Sequence, residues 1–261
     1  MTYFFPDKWL ESVNAVTIFF RFLGLFLLMP GFSHKVIPPT VKILLAVAAS
    51  FALYPVVKAD LAPLSLGVGD FALRAIGETA IGLLMGLAAL FTFEAISFAA
   101  QLVGYQMGFG TVGLMDPNNS ANVSVLVPLQ GWIALMIFFA GDFHHQILQT
   151  FVLSFKVSGA FSGYWPGNVE LLRALLGLSA KFLVLGVQMA APFTLLILLC
   201  NAAIGVLART LPQMNILLFS FPITITLGLC AMYLFAPELL DCIERFFGDM
   251  SSDVLLVLKT I

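Results

Sequence analysis

A long apolar run, residues 70–104, constrains the fold of this chain more than any other part of its sequence. Its hydrophobic periodicity predicts one helix, interrupted chiefly by Glu78 and Glu94. Such a helix is about 50 Å long, which exceeds the roughly 30 Å hydrocarbon core of a bilayer. Only 10% of the residues are charged, whereas a soluble domain has about 25%. We therefore expect a membrane-assembled protein in which both carboxylates are buried by neighbouring protein.

The apolar run ends in a glycine-rich stretch, GYQMGFGTVGLMDP, at residues 104–117. Glycine costs a helix interior about 1 kcal/mol relative to alanine, so the helix is predicted to end here. Backbone that leaves a helix in so apolar a chain must be buried in protein or line a polar cavity, because lipid offers no hydrogen-bond partner. The stretch is thus either a loop that lines a path or an ordinary helix end with a turn at Asp116-Pro117. Composition alone favours the second interpretation.

The remaining apolar segments predict an all-α, membrane-assembled bundle of about six long, partly broken helices. Tyr54-Pro55 is interpreted as the start of a linker, and Pro192 as a bend within a helix. We expect the helices at residues 10–29, 40–53, 70–104, 123–153, 169–208 and 216–247.

Two features of the predicted helices concern their packing. Gly82 and Gly86 have the four-residue spacing that creates a close-packing face for another helix. Arg21 lies within the first apolar helix, where a charge indicates either function or pairing with another residue. The alternative for Arg21 is that it bonds to carbonyl groups of a neighbouring helix.

Several classes of function are excluded or disfavoured. A net charge of −2 is incompatible with the basic surface of a nucleic-acid-binding protein. The chain has no serine elbow, no HExxH motif, no Walker loop and no dinucleotide fingerprint, so we predict no enzyme and no cofactor. No metal site is predicted either: Asp142, His144 and His145 are interpreted as a polar helix end, and Cys200, Cys230 and Cys242 lack C-x-x-C spacing. A secondary transporter and a scaffold for a larger pore remain as classes.

Two segments resemble the signature regions of the FliR family. Its members are components of the flagellar type III export gate, and their counterpart in virulence injectisomes is called SctT. They are GYQMGFGTVGLMDP and NAAIGVLARTLPQMNILLFSFPITITLG, and weaker similarity extends over essentially the whole chain. The second segment is the more specific, because its motif residues fall together in register: Arg209, Pro212, Gln213, Asn215, Phe221, Pro222 and Gly228.

The resemblance implies a subunit that joins FliP and FliQ in a pore-forming assembly of the bacterial inner membrane, at the flagellar basal body. Membrane lipid and exported unfolded flagellar proteins are its other expected contacts. Residues 1–168 are expected to be FliP-like, and residues 169–261 to form a FliQ-like helical hairpin with a short tail. The alternatives are an injectisome export-gate subunit and a proton-coupled small-solute transporter.

By the same resemblance, residues 104–117 are the loop that plugs the pore from inside. Glycines let such a loop swing aside, while methionine and phenylalanine seal a narrow channel and adapt to varied cargo. The predicted plug residues are Gly104, Gln106, Met107, Gly108, Phe109, Gly110, Gly113, Leu114 and Met115.

The resemblance also gives expectations for the turn RTLPQMN and for the charged residues. The turn is expected near the cytoplasmic entrance, where FlhB would bind, with partner contacts from Arg209, Pro212, Gln213 and Asn215. Glu78 and Glu94 are predicted to be buried charges that pair with a neighbour, and Arg21 is predicted to be buried by its position in the first helix. Proton coupling by Glu78 or Glu94 is the alternative.

Overall fold

The computed structural model describes residues 7–31, 38–58, 61, 68–109, 125–157, 169–210 and 216–259. Over these ranges the chain forms eight α-helices and no strand, so the predicted all-α fold is confirmed. The helices are α1 (Asp7–Leu28), α2 (Pro39–Val57), α3 (Val68–Gln106), α4 (Leu126–Ala140), α5 (Phe143–Val157), α6 (Val169–Thr210), α7 (Ile216–Leu234) and α8 (Ala236–Leu258).

Two pairs of helices are bent segments of what the sequence predicted as one helix. α4 and α5 meet at 66°, and so do α7 and α8. If each pair counts as one helix, the described helices number six, as predicted. At the first break Gly141 ends α4 and Asp142 takes a left-handed φ of +56°. At the second, Pro237 lies in the first turn of α8, where its missing N–H costs no helical bond.

α2 corrects the predicted linker at Tyr54-Pro55. The helix continues through Pro55 to Val57, and the N–H of Lys58 still donates to the carbonyl of Tyr54. Proline removes one helical hydrogen bond but lies in the last turn, so few later bonds depend on it. α2 packs against α1 and α5.

Within the described ranges, three helices are long and apolar enough to cross a membrane: Pro39–Val57, Gly69–Gln106 and Val169–Thr210. Each bent pair, taken as one span, raises the number of candidates to five. α3 and α6 have 39 and 42 residues, and at 1.5 Å per residue they are about 58 Å and 63 Å long. Both therefore extend well beyond a hydrocarbon core of about 30 Å.

The chain divides into two compact units. The first comprises Met1–Thr92, Asp142–Ser179 and Gly248–Ile261, and the second comprises Phe93–Gly141 and Ala180–Phe247. Each unit has an aromatic core: Phe22 stacks on Phe151 in the first, and Phe93, Phe138 and Phe247 form a cluster in the second. The predicted division near residue 168 concerns similarity to other subunits and stays a prediction.

Candidate functional site

The end of α3, in the second unit, is where the helix gives way to the glycine-rich stretch. The Met107 N–H still donates to the Val103 carbonyl, at 2.9 Å. The Gly108 N–H instead donates to Tyr105, only three residues back, at 3.1 Å. Gly108 has φ +94°, a backbone conformation that side-chain-bearing residues rarely adopt. Glycine at this position therefore turns the chain sharply out of the helix.

One face of α7 receives this helix end. Phe221, Thr224 and Gly228 are spaced by three and four residues, so they lie on the same side of α7. A Cβ added to Gly108 would lie 2.6 Å from Cδ1 of Phe221, and a Cβ added to Gly228 would lie 2.6 Å from Cε of Met107. The phenylalanine ring and the methionine thioether thus occupy space that the two glycines leave open.

A polar contact accompanies this packing. Thr224 Oγ1 donates to the Met107 carbonyl at 3.1 Å, and the same hydroxyl is within 3.0–3.1 Å of the carbonyls of Ser220 and Phe221. The bond matters because the last carbonyls of a helix have no partner within it. Met107 is fully buried and Thr224 is 3% exposed. We call this contact the dock, formed by Met107, Gly108, Phe221, Thr224 and Gly228.

A second polar group is buried in the first unit, between α1, α3 and α5. Arg21 Nε donates to Glu78 Oε2 at 2.6 Å, and both side chains are 0% exposed. Arg21 Nη1 donates to Ser154 Oγ at 2.8 Å, and the guanidinium lies 3.8 Å from the centre of the Phe155 ring. We call Arg21, Glu78, Ser154 and Phe155 the charge cluster. Its ion pair is hydrogen-bonded as a buried pair requires.

Glycines bring the backbones of α1 and α3 together beside the charge cluster. A Cβ on Gly82 would overlap the Arg21 carbonyl oxygen, and one on Gly24 would overlap the Thr79 carbonyl oxygen. A Cβ on Gly86 would lie 2.9 Å from the Leu25 carbonyl oxygen. The close-packing face predicted at Gly82 and Gly86 is therefore present, and α1 is the helix that packs on it.

Comparison with known proteins decides the family. Residues 13–250 match the model of the family described as bacterial export proteins, family 1. The chain belongs to this family. Curated relatives include the flagellar biosynthetic protein FliR of Escherichia coli strain K12, which is 29% identical over 249 residues, or 94% of this chain and 92% of the relative. The protein of the same name from Bacillus subtilis strain 168 is 26% identical and covers 81% of each chain.

A third relative, flagellar biosynthetic protein FliR of Pectobacterium carotovorum, is 29% identical over 97% of this chain and 98% of its own length. The predicted membership of the FliR family is thereby confirmed. Family and relatives together assign this export protein to flagellar biosynthesis, and its long apolar helices indicate a membrane location.

In this family 1 protein, the described residues of the predicted plug lie in the dock or next to it in sequence. Gly104 is buried within α3, Gln106 is its last helical residue, and Met107 and Gly108 are dock residues. The Gln106 Oε1 atom is buried without a hydrogen bond to any residue that the structure describes. Phe109 is half-buried. The other predicted plug residues, Gly110, Gly113, Leu114 and Met115, lie outside the described residues.

The other predicted site residues are dispersed. Arg209 is exposed in the last turn of α6, while Pro212, Gln213 and Asn215 lie outside the described residues. Of the predicted buried charges, Arg21 and Glu78 pair with each other, whereas Glu94 is exposed in the single chain. The pairing of Glu94 with a neighbouring subunit stays a prediction.

Asp142, His144 and His145 come together at the bend between α4 and α5. One ligand atom from each lies within 4.8 Å of the others, and His145 Nδ1 is 3.3 Å from Asp142 Oδ1. The sequence spacing did not lead us to expect three potential ligands this close. The Asp142 carbonyl also accepts the His145 N–H at 2.9 Å, as expected at the start of a helix.

Sequence reasoning missed the partners of Met107 and Arg21. The spacing of Phe221, Thr224 and Gly228 on one face of α7 was visible, but it did not say which helix covers that face. Ser154 is one of several serines on apolar helices and had no signal of its own.

Proposed function

We propose that the chain is a non-enzymatic export-gate subunit that forms a pore with FliP and FliQ in the bacterial inner membrane, at the flagellar basal body. Residues 104–117 close this pore, and unfolded flagellar proteins are its cargo. The observation that carries the proposal is the dock: a 39-residue apolar helix ends at a glycine of φ +94°, and a second helix holds that end in place. A closing segment needs a base that a neighbouring helix holds while the pore is closed and that can separate when the pore opens.

Within this proposal, Met107 and Phe109 have different roles. Met107 is fully buried against Gly228 and therefore anchors the base of the closing segment. Phe109 follows the Gly108 turn, and its half-buried side chain belongs to the part that meets the pore. Gly108 is the pivot between anchor and seal, because glycine can move among backbone conformations that other residues cannot reach.

Assembly with other subunits is supported by the apolar surface of the single chain. Leu176, Leu195 and Leu199 on α6 are each at least 60% exposed. In the proposed gate, residues 1–168 contribute the FliP-like part and residues 169–261 the FliQ-like hairpin. FlhB binds at the turn formed by Arg209, Pro212, Gln213 and Asn215, whose one described residue, Arg209, is exposed.

Two observations disfavour the alternatives, which are an injectisome gate subunit and a proton-coupled transporter. The relatives compared above are flagellar proteins, which favours a flagellar gate over an injectisome gate. Glu78 is bound to Arg21, which gives that carboxylate a structural partner and removes the need for a proton-coupling role.

The test is ion leakage through the co-expressed gate. Deleting residues 110–115, or replacing Phe109 with aspartate, removes or polarises the seal while keeping Met107 and Gly108 in the dock. We expect leakage of small ions in intact cells and in liposomes, with the chain still bound to FliP and FliQ in native mass spectrometry. Met136→Ala, at an exposed methionine of α4, is the control. Normal ion tightness in an assembled Phe109→Asp gate would contradict the proposal.

A further inference from the structure

Asp142, His144 and His145 form a cluster at the start of α5 that the proposed function does not use. Asp142 Oδ1 is 3.3 Å from His145 Nδ1 and 4.0 Å from His144 Nε2. One ligand atom from each residue lies within 4.8 Å of the other two, and the centres of the two imidazole rings are 4.2 Å apart. We call these three residues the histidine cluster.

The separations within the histidine cluster are close to those around a bound zinc ion. Zinc binds imidazole nitrogen and carboxylate oxygen at about 2.0–2.2 Å in a tetrahedral arrangement, so neighbouring ligand atoms are about 3.4 Å apart. The two oxygen–nitrogen distances, 3.3 Å and 4.0 Å, lie on either side of this value. The Asp142 and His145 side chains are 75% and 63% exposed, so both can rotate toward a common ion without any movement of the backbone.

The alternative is a polar helix end, in which Asp142 caps α5. A capping aspartate has an extended backbone, and its carboxylate accepts an N–H of the first helical turn. Asp142 instead has φ +56°, and its backbone carbonyl accepts the His145 N–H. Within the described part of the chain, the contacts of the Asp142 carboxylate are those with the two imidazoles. The carboxylate therefore faces two nitrogen ligands and not the helix backbone.

His144 is the more enclosed of the two histidines. Its side chain is 28% exposed and its Nδ1 is buried, so Nε2 is the nitrogen that faces the carboxylate. Metal-binding histidines are oriented in this way, with one ring nitrogen toward the ion and the other toward the protein. The bent pair α4 and α5 is also a candidate membrane span, in which a carboxylate is costly unless a cation accompanies it.

We infer that the histidine cluster binds one divalent transition-metal ion, with Zn²⁺ as the expected ion and water completing its coordination. The imidazole ligands disfavour Ca²⁺ and Mg²⁺, which prefer oxygen, and the cluster lacks the thiolates that select Cu⁺. The bound ion ties Asp142 to the first turn of α5 and stabilises the left-handed backbone at that residue. All three ligands belong to the first unit of one chain, so the inference does not depend on the proposed function.

The first test measures zinc binding by the full-length chain, purified in detergent with an affinity tag that contains no histidine. Equilibrium dialysis against Zn²⁺ is expected to give one ion per chain. Asp142→Gly and His145→Ala should each weaken binding at least about tenfold, since even second-shell partners of a metal contribute that much. Glycine adopts a φ of +56° readily, so Asp142→Gly removes a ligand without straining the backbone. No binding by the wild-type chain, or unchanged affinity in either variant, would overturn the inference.

Matched controls address the other zinc ligands of the chain. His34→Ala removes the one histidine of the sequence outside the cluster and should leave the affinity unchanged. Replacing the free cysteines with serine should also leave it unchanged, although thiolates bind zinc well. These are Cys200, Cys230 and Cys242. Loss of binding in either control would place the ion elsewhere and refute the assignment.

The second test reads the coordination of the ion. Co²⁺ in place of Zn²⁺ absorbs visible light strongly in a four-coordinate site and weakly as the six-coordinate hydrated ion. We expect the four-coordinate spectrum from the wild-type chain and its loss in Asp142→Gly. Saturating Zn²⁺ should also raise the unfolding temperature of the wild-type chain but not that of Asp142→Gly, because a ligand stabilises only the state that binds it. A hydrated Co²⁺ spectrum with the wild-type chain, or equal thermal shifts for the two chains, would contradict the inference.

Discussion

The charge cluster and the dock both join α3 to another helix at glycine residues, but they do so with different chemistry. Beside the charge cluster, backbone packs on backbone at Gly82, and an ion pair with both side chains 0% exposed fixes the contact. At the dock, a thioether and a phenylalanine ring fill the space beside the glycines, and one threonine hydroxyl supplies the polar contact.

The difference predicts how readily each contact separates. Parting α1 from α3 would leave an arginine or a glutamate buried without its partner, which is strongly unfavourable. Parting α3 from α7 at the dock breaks dispersion contacts and the hydrogen bond from Thr224 to the Met107 carbonyl, and the Thr224 hydroxyl keeps acceptors within its own helix. The charge cluster therefore suits a permanent joint, and the dock suits a joint that can open.

The largest expected effect is at the charge cluster. Arg21→Met removes the ion-pair partner of the buried Glu78 carboxylate, so we expect the free energy of unfolding to fall by about 3–5 kcal/mol. Thermal unfolding of the purified protein in detergent measures this. The double variant Arg21→Met with Glu78→Gln removes both charges of the ion pair and should lose less than Arg21→Met alone. A double variant with the summed loss of both single changes would show that the ion pair is not what makes this joint rigid.

An intermediate effect is expected at Gly82. Alanine there places a methyl group against the Arg21 carbonyl oxygen, where neither backbone can yield, so we expect a loss of about 1–3 kcal/mol. Gly177 of α6 is the matched control, because nothing lies within 4 Å of an added Cβ. Gly177→Ala should be neutral or stabilising by up to about 1 kcal/mol, since alanine favours helix. If Gly82→Ala and Gly177→Ala unfold at the same temperature, the backbones of α1 and α3 are not tightly packed beside the charge cluster.

The parts of the fold that the sequence predicted are those set by local physics. Apolar periodicity located the helices, and the spacing of Gly82 and Gly86 indicated a close-packing face. The bend at Asp142 was missed because the helical pattern continues across it and only the backbone conformation interrupts it. Pro55 was given too much weight, since a proline in the last turn removes little from a helix.

The candidate site was predicted only in part, because its partners are distant in sequence. The glycines of residues 104–117 indicated a break, but Met107 and Thr224 are 117 residues apart, and no local pattern joins them. The same holds for Arg21 and Ser154, which are 133 residues apart. Periodicity shows which face of a helix is buried, whereas tertiary packing decides what covers it.

The smallest effect on stability, and the sharpest test of the comparison, is at Gly228. An added Cβ would lie 2.6–2.8 Å from three atoms of the Met107 side chain, which is flexible and can yield. We expect Gly228→Ala to change the free energy of unfolding by less than about 1 kcal/mol. The higher helix propensity of alanine stabilises α7 by about as much as the lost packing at the dock destabilises the protein. Hydrogen exchange at Met107 and Gly108 should rise about fivefold, which corresponds to roughly 1 kcal/mol of local opening.

The control variant restores the space that the added methyl group at position 228 would fill. Met107→Ala combined with Gly228→Ala removes the collision, and Thr224 still binds the residue 107 carbonyl, so exchange at Gly108 should fall below that of Gly228→Ala alone. If Gly228→Ala destabilises the whole protein as much as Gly82→Ala and leaves local exchange unchanged, the dock is as rigid as the charge-cluster joint. Local opening without global loss instead makes the end of α3 the separable contact, as a closing segment with a movable base requires.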